Sequence, residues 1–488
     1  MERKISIIGS GFASISAACY LAKEGNHVTV FEKNDTIGGR ARQWKHKGFT
    51  FDMGPTWYWM PDVFERFFAD FEKYPSQYYQ LQKLSPAYSV YFGKEDLITI
   101  GDSLEKIYNT FEEIESGSSK ALQKFITNAQ NNYNIAIKDL VYRPGVSPLE
   151  LVTPKTMTRL HQFINTIKKD VRKAFKNEKL VQILEFPVLF LGAKPSDTPS
   201  FYNFMNYADF GLGTWHPTNG MRSVIEGMHE LAISLGVHFE TRANIEKIES
   251  KNGKITGIIK NGDFISSDIV VSGADYHHTE TLLEKSQRVY SENYWNKKIF
   301  APSSLLFYVG FDKKIANVDH HTLFFDVPFD EHAEAIYDNP KWPEKPLFYA
   351  SFPSKTDENL APKGNEAGIF LIPLAPGIED TEALRNEYFQ KIISRFENLT
   401  NQSIKNNVIF KRSFCINDFI NDYNSYKGNA YGLANTLLQT AFLRPKLKSK
   451  KVENLYFTGQ LTVPGPGVPP SLISGKLVAE LIKKNLTN

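Results

Sequence analysis

Residues 5–33 read ISIIGSGFASISAACYLAKEGNHVTVFEK. Ile5, Ile7 and Ile8 predict a short buried strand, Gly9-Ser10-Gly11 a turn, and Ala13 to Lys23 a helix with Ala17, Ala18, Leu21 and Ala22 on its packing faces. Gly25 ends that helix, and HVTVFE forms a second strand finishing at Glu32. Strand, glycine turn, helix and a strand with an acidic end make the βαβ unit that holds a dinucleotide. Gly9 permits the tight turn, and Gly11 lets backbone approach a pyrophosphate. The helix N-terminus offers unpaired N–H groups and the positive end of its dipole. Glu32, 21 residues beyond Gly11, is placed to accept from ribose hydroxyls. The third glycine position holds Ser14, small enough for close helix–strand packing.

The chain of 488 residues is too long for one hydrophobic core, so two domains are expected. Its 57 Lys and Arg nearly balance 54 Asp and Glu, a net +3 that leaves no chain-wide footprint for nucleic acid. Two cysteines, Cys19 and Cys415, make no disulfide framework and suit a reducing compartment. Met1-Glu2-Arg3-Lys4 runs straight into the first strand, so no secretory signal is expected. The apolar runs FPVLFLG and SLLFYVGF fall far short of the ~20 residues of a membrane-spanning helix.

The stretch after Glu32 selects the dinucleotide. Gly38-Gly39-Arg40 resembles the extended signature of FAD-binding flavoproteins, with Arg40 near the pyrophosphate and Gly39 letting backbone pass the cofactor. FDMGPT at 51–56 looks like the matching segment beside the flavin; a nicotinamide dehydrogenase needs neither. Residues 236–275 predict a run of strands, with hairpin turns at Asn252-Gly253 and Asn261-Gly262 and a buried strand ending at Ser272-Gly273-Ala274. Near the C-terminus the chain reads YFTGQLTVPGPGVPPSLISGK. A strand ends there at Gly459, and PSLISGKLVAELIKKN is a helix with Leu472, Ile473, Leu477, Leu481 and Ile482 on its apolar face. The prolines and glycines between them make a stiff connection that aims the helix N-terminus at a polar or negative group.

The segments IIGSGFASISAACYLAKEGNHVTVFEKNDTIGGRAR, FDMGPT, GTWHPTNGM and NLYFTGQLTVPGPGVPPSLISGK, in this order from end to end, resemble the bacterial phytoene desaturase family of FAD-dependent carotenoid desaturases. Gln460-Leu461 and Pro470-Ser471 depart from the commonest family form, and the variant is similar to the branch that includes hydroxycarotenoid 3,4-desaturases. The resemblance implies an α/β, two-domain amine-oxidase-like flavoprotein. Residues 1–75, 221–289 and 426–488 would form a Rossmann-type FAD-binding domain, and 76–220 and 290–425 an interleaved α+β substrate domain. It implies FAD contacts at Gly9, Gly11, Phe12, Ala13, Ser14, Glu32 and Lys33, at Gly39 and Arg40, and at Gly54, Pro55 and Thr56. Further contacts would fall at Ile245 and Ser272, and at Gly459, Gly467, Val468, Pro469 and Ser471, the last group at the flavin's pyrimidine edge. It also implies hydride transfer from a long polyene to flavin N5. The aromatic stretches LEFPVLFLG, FYNFMNYADFGLGTW, SSLLFYVGF and TWYWMP would line its tunnel or fill ordinary core.

Such a reaction also releases a proton, and its acceptor is not evident in the sequence; Asp209 and His216 are the candidates near the GTWHPTNGM segment. No CxxC, HExxH or spaced ligand set points to a metal, and the adjacent pairs His277-His278 and His320-His321 point apart on a strand. No His or Cys stands in a recognised flavin-linking context, so FAD is expected to bind noncovalently. Residues 163–179, FINTIKKDVRKAFKNEK, predict a helix with Ile164, Ile167, Val171 and Phe175 on one stripe and lysines and arginines around the rest. That stripe faces either an anionic membrane or the domain core. The partners expected are a carotenoid and a membrane surface, with a cytoplasmic location at the inner face of the cell membrane. The oligomeric state is not readable. Two other readings share the N-terminal motifs: an amine oxidase or protoporphyrinogen oxidase relative, which carries an acid where Gln460 stands, and a GDP-dissociation inhibitor without redox chemistry.

Overall fold

The strand Lys4–Ile8 forms where its isoleucines place it, the first helix spans Phe12–Lys23, and the second strand is His27–Phe31. The computed structural model describes residues 2–487. All strands of the sheet around this unit are parallel, in the order Leu455–Phe457, Ile269–Ser272, Lys4–Ile8, His27–Phe31, His238–Glu240. The two ends of the chain therefore meet in one sheet, and both of its neighbouring helices meet as well. The C-terminal helix Val468–Thr487 crosses the first helix at Gly475, where a Cβ would stand 2.5 Å from the Ala13 carbonyl and 2.6 Å from Ser16 Cβ. Only glycine permits that approach, and the alanines of the first helix keep their side of it thin.

The strands Ile245–Lys251, Lys254–Lys260 and Asp263–Ser266 form an antiparallel sheet. Asn252-Gly253 and Asn261-Gly262 join them with all four residues at positive φ, as the Asn-Gly turns predict. A mixed seven-stranded sheet runs in the order Val408–Phe414, Ser303–Phe311, Glu366–Leu374, Phe348–Ser351, His321–Phe324, Tyr88–Gly93, Asp96–Ile100. Its second strand, SSLLFYVGF, is buried at every position. Alternate residues Leu305, Phe307, Val309 and Phe311 fill one core, against Tyr388, Phe389, Ile392 and Phe396 of the helix Glu382–Thr400. Helices between residues 104 and 211 pack a second core that reaches Trp59, Tyr88 and Val463.

The helix expected over 163–179 is broken. Helices Leu160–Ile164 and Ile167–Ala174 are separate, because the Thr166 side chain caps the second by accepting from the Lys169 N–H. Ile167, Val171 and Phe175 are core residues, whereas Ile164 is 76% exposed. The apolar stripe from Ile167 to Phe175 thus packs into the domain core. No helix among the described residues is long and apolar enough to cross a membrane.

Candidate functional site

One cavity of about 860 Å³ begins at the glycine turn and continues between the sheets and the helical region. Gly9 takes φ +85°, and a Cβ on Gly11 would meet nothing within 4 Å, so the backbone there fronts open space. The first intrahelical bond is from Ile15 N–H to the Gly11 carbonyl. The N–H groups of Phe12, Ala13 and Ser14 lie before the ladder begins. The Gly-Gly-Arg turn is held against this loop, Gly38 donating to the Ser10 carbonyl at 3.0 Å.

Glu32 is buried beside the loop. Its Oε2 accepts from Ser10 N–H at 3.1 Å and from Ser10 Oγ at 2.6 Å, and its Oε1 accepts from Asn34 N–H and Nδ2, each at 2.9 Å. Lys33 is tied outward to the Asn421 carbonyl at 2.7 Å. Arg40 lies over the Tyr423 ring at 5.0 Å and donates to Ser425 Oγ, and burial lowers its pKa. Ser14 and Arg40 both border this cavity, and Ser14 Oγ and Arg40 Nε are buried without a hydrogen-bond partner. Orphaned donors beside a glycine cradle and a helix N-terminus fit the phosphates of a dinucleotide. Burial and the nearby Lys33 charge lower the neighbouring His278 to about 4, so it contributes no charge near neutral pH.

Gly54, Pro55, Thr56 and Ile245 border the same cavity, as do Gly459, Gly467, Val468, Pro469 and Ser471. Ser272 does not: its hydroxyl is buried 2.6 Å from Thr279 Oγ1, and the wall is made by the next residues, Gly273, Ala274 and Asp275. The C-terminal helix begins at Val468, earlier than the sequence predicts, with Pro469 and Pro470 inside its first turn. Proline is tolerated there because those positions need no N–H for the ladder. Ser471 consequently lies within the helical ladder rather than at its start, its N–H and hydroxyl both donating to the Gly467 carbonyl at 3.1 and 2.8 Å.

Away from the glycine loop the cavity wall is aromatic and aliphatic. Each predicted stretch contributes only some side chains: Ser304 and Leu306 from SSLLFYVGF, Phe186 and Leu189 from LEFPVLFLG, Trp57 and Trp59 from TWYWMP. Asp209 and His216 lie behind this wall and border no part of it. Asp209 accepts from Tyr88 Oη at 2.8 Å, and burial raises it to about 8. Tyr88 in turn packs edge-on against Trp57, with ring centroids 5.4 Å apart. His216 Nε2 lies 3.6 Å from Asp357 Oδ2, its ring 4.8 Å from that of His320. Sequence reasoning missed Tyr349, whose ring reaches the wall from the strand Phe348–Ser351. Its signal would have been the His320-His321 pair on the adjacent strand. Among the described residues no cluster of three His, Cys, Asp or Glu is arranged to hold a metal.

Residues 13–483 match the family of flavin-containing amine oxidoreductases. The chain is 39% identical over 486 residues to a carotenoid 3,4-desaturase of Haloarcula japonica, covering 99% of this chain and 98% of that one. It is 31% identical over 501 residues to a 4,4'-diapophytoene desaturase (4,4'-diaponeurosporene-forming) of Staphylococcus haemolyticus, covering 99% of each. An oxidoreductase structure from Methanosarcina mazei superposes with a TM-score of 0.65 at 17% identity, over 98% of this chain and 100% of that one, which shows the shared fold. The dinucleotide cradle is thus that of an FAD enzyme, and the chain belongs to the flavin-containing amine oxidoreductases, in the group of the carotenoid desaturases.

Proposed function

We propose that this protein is a carotenoid desaturase that introduces a C=C bond at the 3,4 position in the acyclic end of a long polyene. The observation that carries the reading is the single cavity, with a phosphate cradle at one end and an aromatic and aliphatic wall over the remainder. Residues Gly9 to Ser14, Glu32, Gly39 and Arg40 would hold the adenosine and phosphates of FAD, and Gly54 to Thr56 with Gly459 and Gly467 to Ser471 its ring. Bound there, FAD supplies a two-electron hydride acceptor. The chain's own contribution is to position the polyene against that ring and to exclude water. The full-length likeness to a 3,4-desaturase supports the choice of bond. Gln460, which donates to Asn429 Oδ1 at 3.2 Å, stands where amine oxidases carry an acid and weighs against that alternative.

The test is expression in cells that accumulate either a 1-hydroxycarotenoid or phytoene. A red-shifted product from the hydroxycarotenoid, with phytoene unchanged, is expected. Colour from phytoene alone would transfer the reading to the phytoene type, and an FAD-loaded protein that changes neither polyene would end it.

Such a substrate is dissolved in lipid, so the protein acts at a membrane surface, here placed at the cytoplasmic face of the cell membrane. Two segments beside the cavity expose apolar side chains. Val146, Leu149, Val152, Met157, Leu160 and Ile164 lie on one, and Leu438 and Leu443 on the other. Leu151, Phe163, Leu438 and Leu443 from these segments also border the cavity. No exposed acidic residue lies between Val146 and Ile164, and Lys155 is exposed among them. Burying a Leu or Ile side chain is worth ~1.5–3 kcal/mol. Leu149→Glu combined with Ile164→Glu should therefore cut recovery on phosphatidylglycerol vesicles by about tenfold or more while FAD content is unchanged. Equal recovery of variant and parent would place the contact elsewhere.

A further inference from the structure

The carboxylates on the cavity wall are engaged. Glu32 serves Ser10 and Asn34, Glu150 accepts from the N–H groups of Gly145 to Ser147, Asp275 from those of His278 and Tyr426, and Asp422 pairs with Arg42. The histidines on the wall are engaged too. His332 accepts from Leu347 N–H at 2.9 Å through Nδ1 and donates from Nε2 to the Pro373 carbonyl at 2.8 Å, and His278 Nε2 meets Asn424 at 3.1 Å.

Tyr349 is different. Its Oη lies 2.6 Å from His321 Nδ1 and 2.9 Å from Thr56 Oγ1, and Tyr349, Thr56 and Trp57 all border the cavity. His321 is fully buried and stacked on Trp57, with ring centroids 4.0 Å apart. Its Nε2 has no hydrogen-bond partner. An orphaned nitrogen on a buried imidazole beside the cavity calls for an explanation, and a role in the chemistry there supplies one. Beyond it the His320 ring follows at 4.4 Å and the His216 ring 4.8 Å further, with Asp357 behind them.

We propose that Tyr349, acting with His321, accepts the proton released in desaturation. This rests on the desaturase reading above. In the step, one substrate C–H leaves as hydride, two electrons and a proton, to the oxidised flavin supplied by the established cofactor. The vicinal C–H proton then passes to Tyr349 Oη, while the Tyr349 hydroxyl proton moves to His321 Nδ1. The electron pair of that second C–H bond becomes the new C=C bond. Tyr349 is the group at the substrate; His321 acts through it. Burial and the nearby His216 hold His321 well below the ordinary histidine range, so it stands neutral with its lone pair available. A weak base suffices, because the allylic cation is a strong acid.

The test uses the FAD-loaded full chain as wild type, Tyr349→Phe and His321→Gln. Under anaerobic conditions, with a 1-hydroxycarotenoid in micelles, both variants should form desaturated product about 10²–10⁴-fold more slowly, with FAD content and near-ultraviolet dichroism unchanged. A second readout needs no substrate. In ¹⁵N-histidine spectra, the imidazoles with an acceptor Nδ1 and no titration between about pH 5 and 8 should include both His332 and His321; Tyr349→Phe should move one of these signals and His321→Gln should remove that same one. A Tyr349→Phe rate within about threefold of wild type overturns the proposal. So does a signal removed by His321→Gln that Tyr349→Phe leaves unmoved, even if neither polyene is consumed. Failure of the desaturase reading is seen separately, as a wild type that leaves both polyenes unchanged.

Discussion

Gly467→Val should retain FAD and lose at least about 100-fold in turnover, because misplacing a reacting group by even ~1 Å costs that much. Gly467 takes φ +114°, a region closed to a β-branched residue. A Cβ there would also meet Pro470 Cδ at 3.2 Å, and a proline ring inside a first helical turn has little room to give. The backbone must then rotate at the joint that feeds the C-terminal helix. Gly465 at φ +137° and Gly459 at φ +102° leave the connection few ways to absorb the change. The adenosine end of FAD, as proposed above, would lie on other elements, around Gly9, Gly11 and Glu32, which the substitution does not touch. Flavin absorbance, FAD released on denaturation and product formation should therefore separate cleanly. Full turnover with full FAD would reduce this segment to a surface connector.

Glu32→Ala should weaken FAD binding by about 10- to 100-fold, the equivalent of ~1.5–3 kcal/mol for hydrogen bonds to a charged group. The carboxylate does two things at once. It faces the cavity where ribose hydroxyls are expected, and it holds the glycine turn through Ser10 N–H and Oγ. Removal therefore loses a ligand contact and loosens the loop. Glu32→Gln separates the two, since an amide oxygen still accepts from Ser10 but carries no charge. Equilibrium titration with FAD, alongside melting of the apoprotein, tells them apart. An apoprotein as stable as wild type with unchanged FAD affinity would remove Glu32 from the cofactor site. In the FAD-loaded wild type, the flavin should leave the denatured chain as FAD, with none remaining covalently attached.

Local chemistry made much of this molecule readable from its sequence. The βαβ unit needs only an isoleucine strand, a glycine turn and a small-residue helix, all within residues 4–31. The Asn-Gly hairpins follow from two residues that accept positive φ. The Gly-Gly-Arg turn and the Pro-Gly connection could be placed beside the cavity because their backbone geometry is peculiar to a few residue types. Where several local choices were nearly equal in energy, tertiary structure decided. The run 163–179 has helical periodicity throughout, yet Thr166 caps a new helix and Ile167 bonds to the Thr198 carbonyl, so the stripe turns into the core. The sequence reads Pro469 as linker and Pro470 as the helix start, but the helix begins at Val468 and its first turn tolerates both.

The apolar wall illustrates the same limit. Alternation along SSLLFYVGF shows two faces, but which face meets the cavity depends on the strands either side, Val408–Phe414 and Glu366–Leu374, far away in the chain. The Tyr349–His321 pair arises in the same way. Leu323 stands opposite Tyr349 in an antiparallel pair, so His321, two residues before it, shares the face of Tyr349 and comes within hydrogen-bond reach. Thr56 arrives from the other end of the molecule. The sequence by itself determined the nucleotide cradle, because its contacts lie within a few turns of chain. Only the tertiary structure decided which buried side chains face the cavity, because that depends on strand register between segments tens of residues apart in the chain.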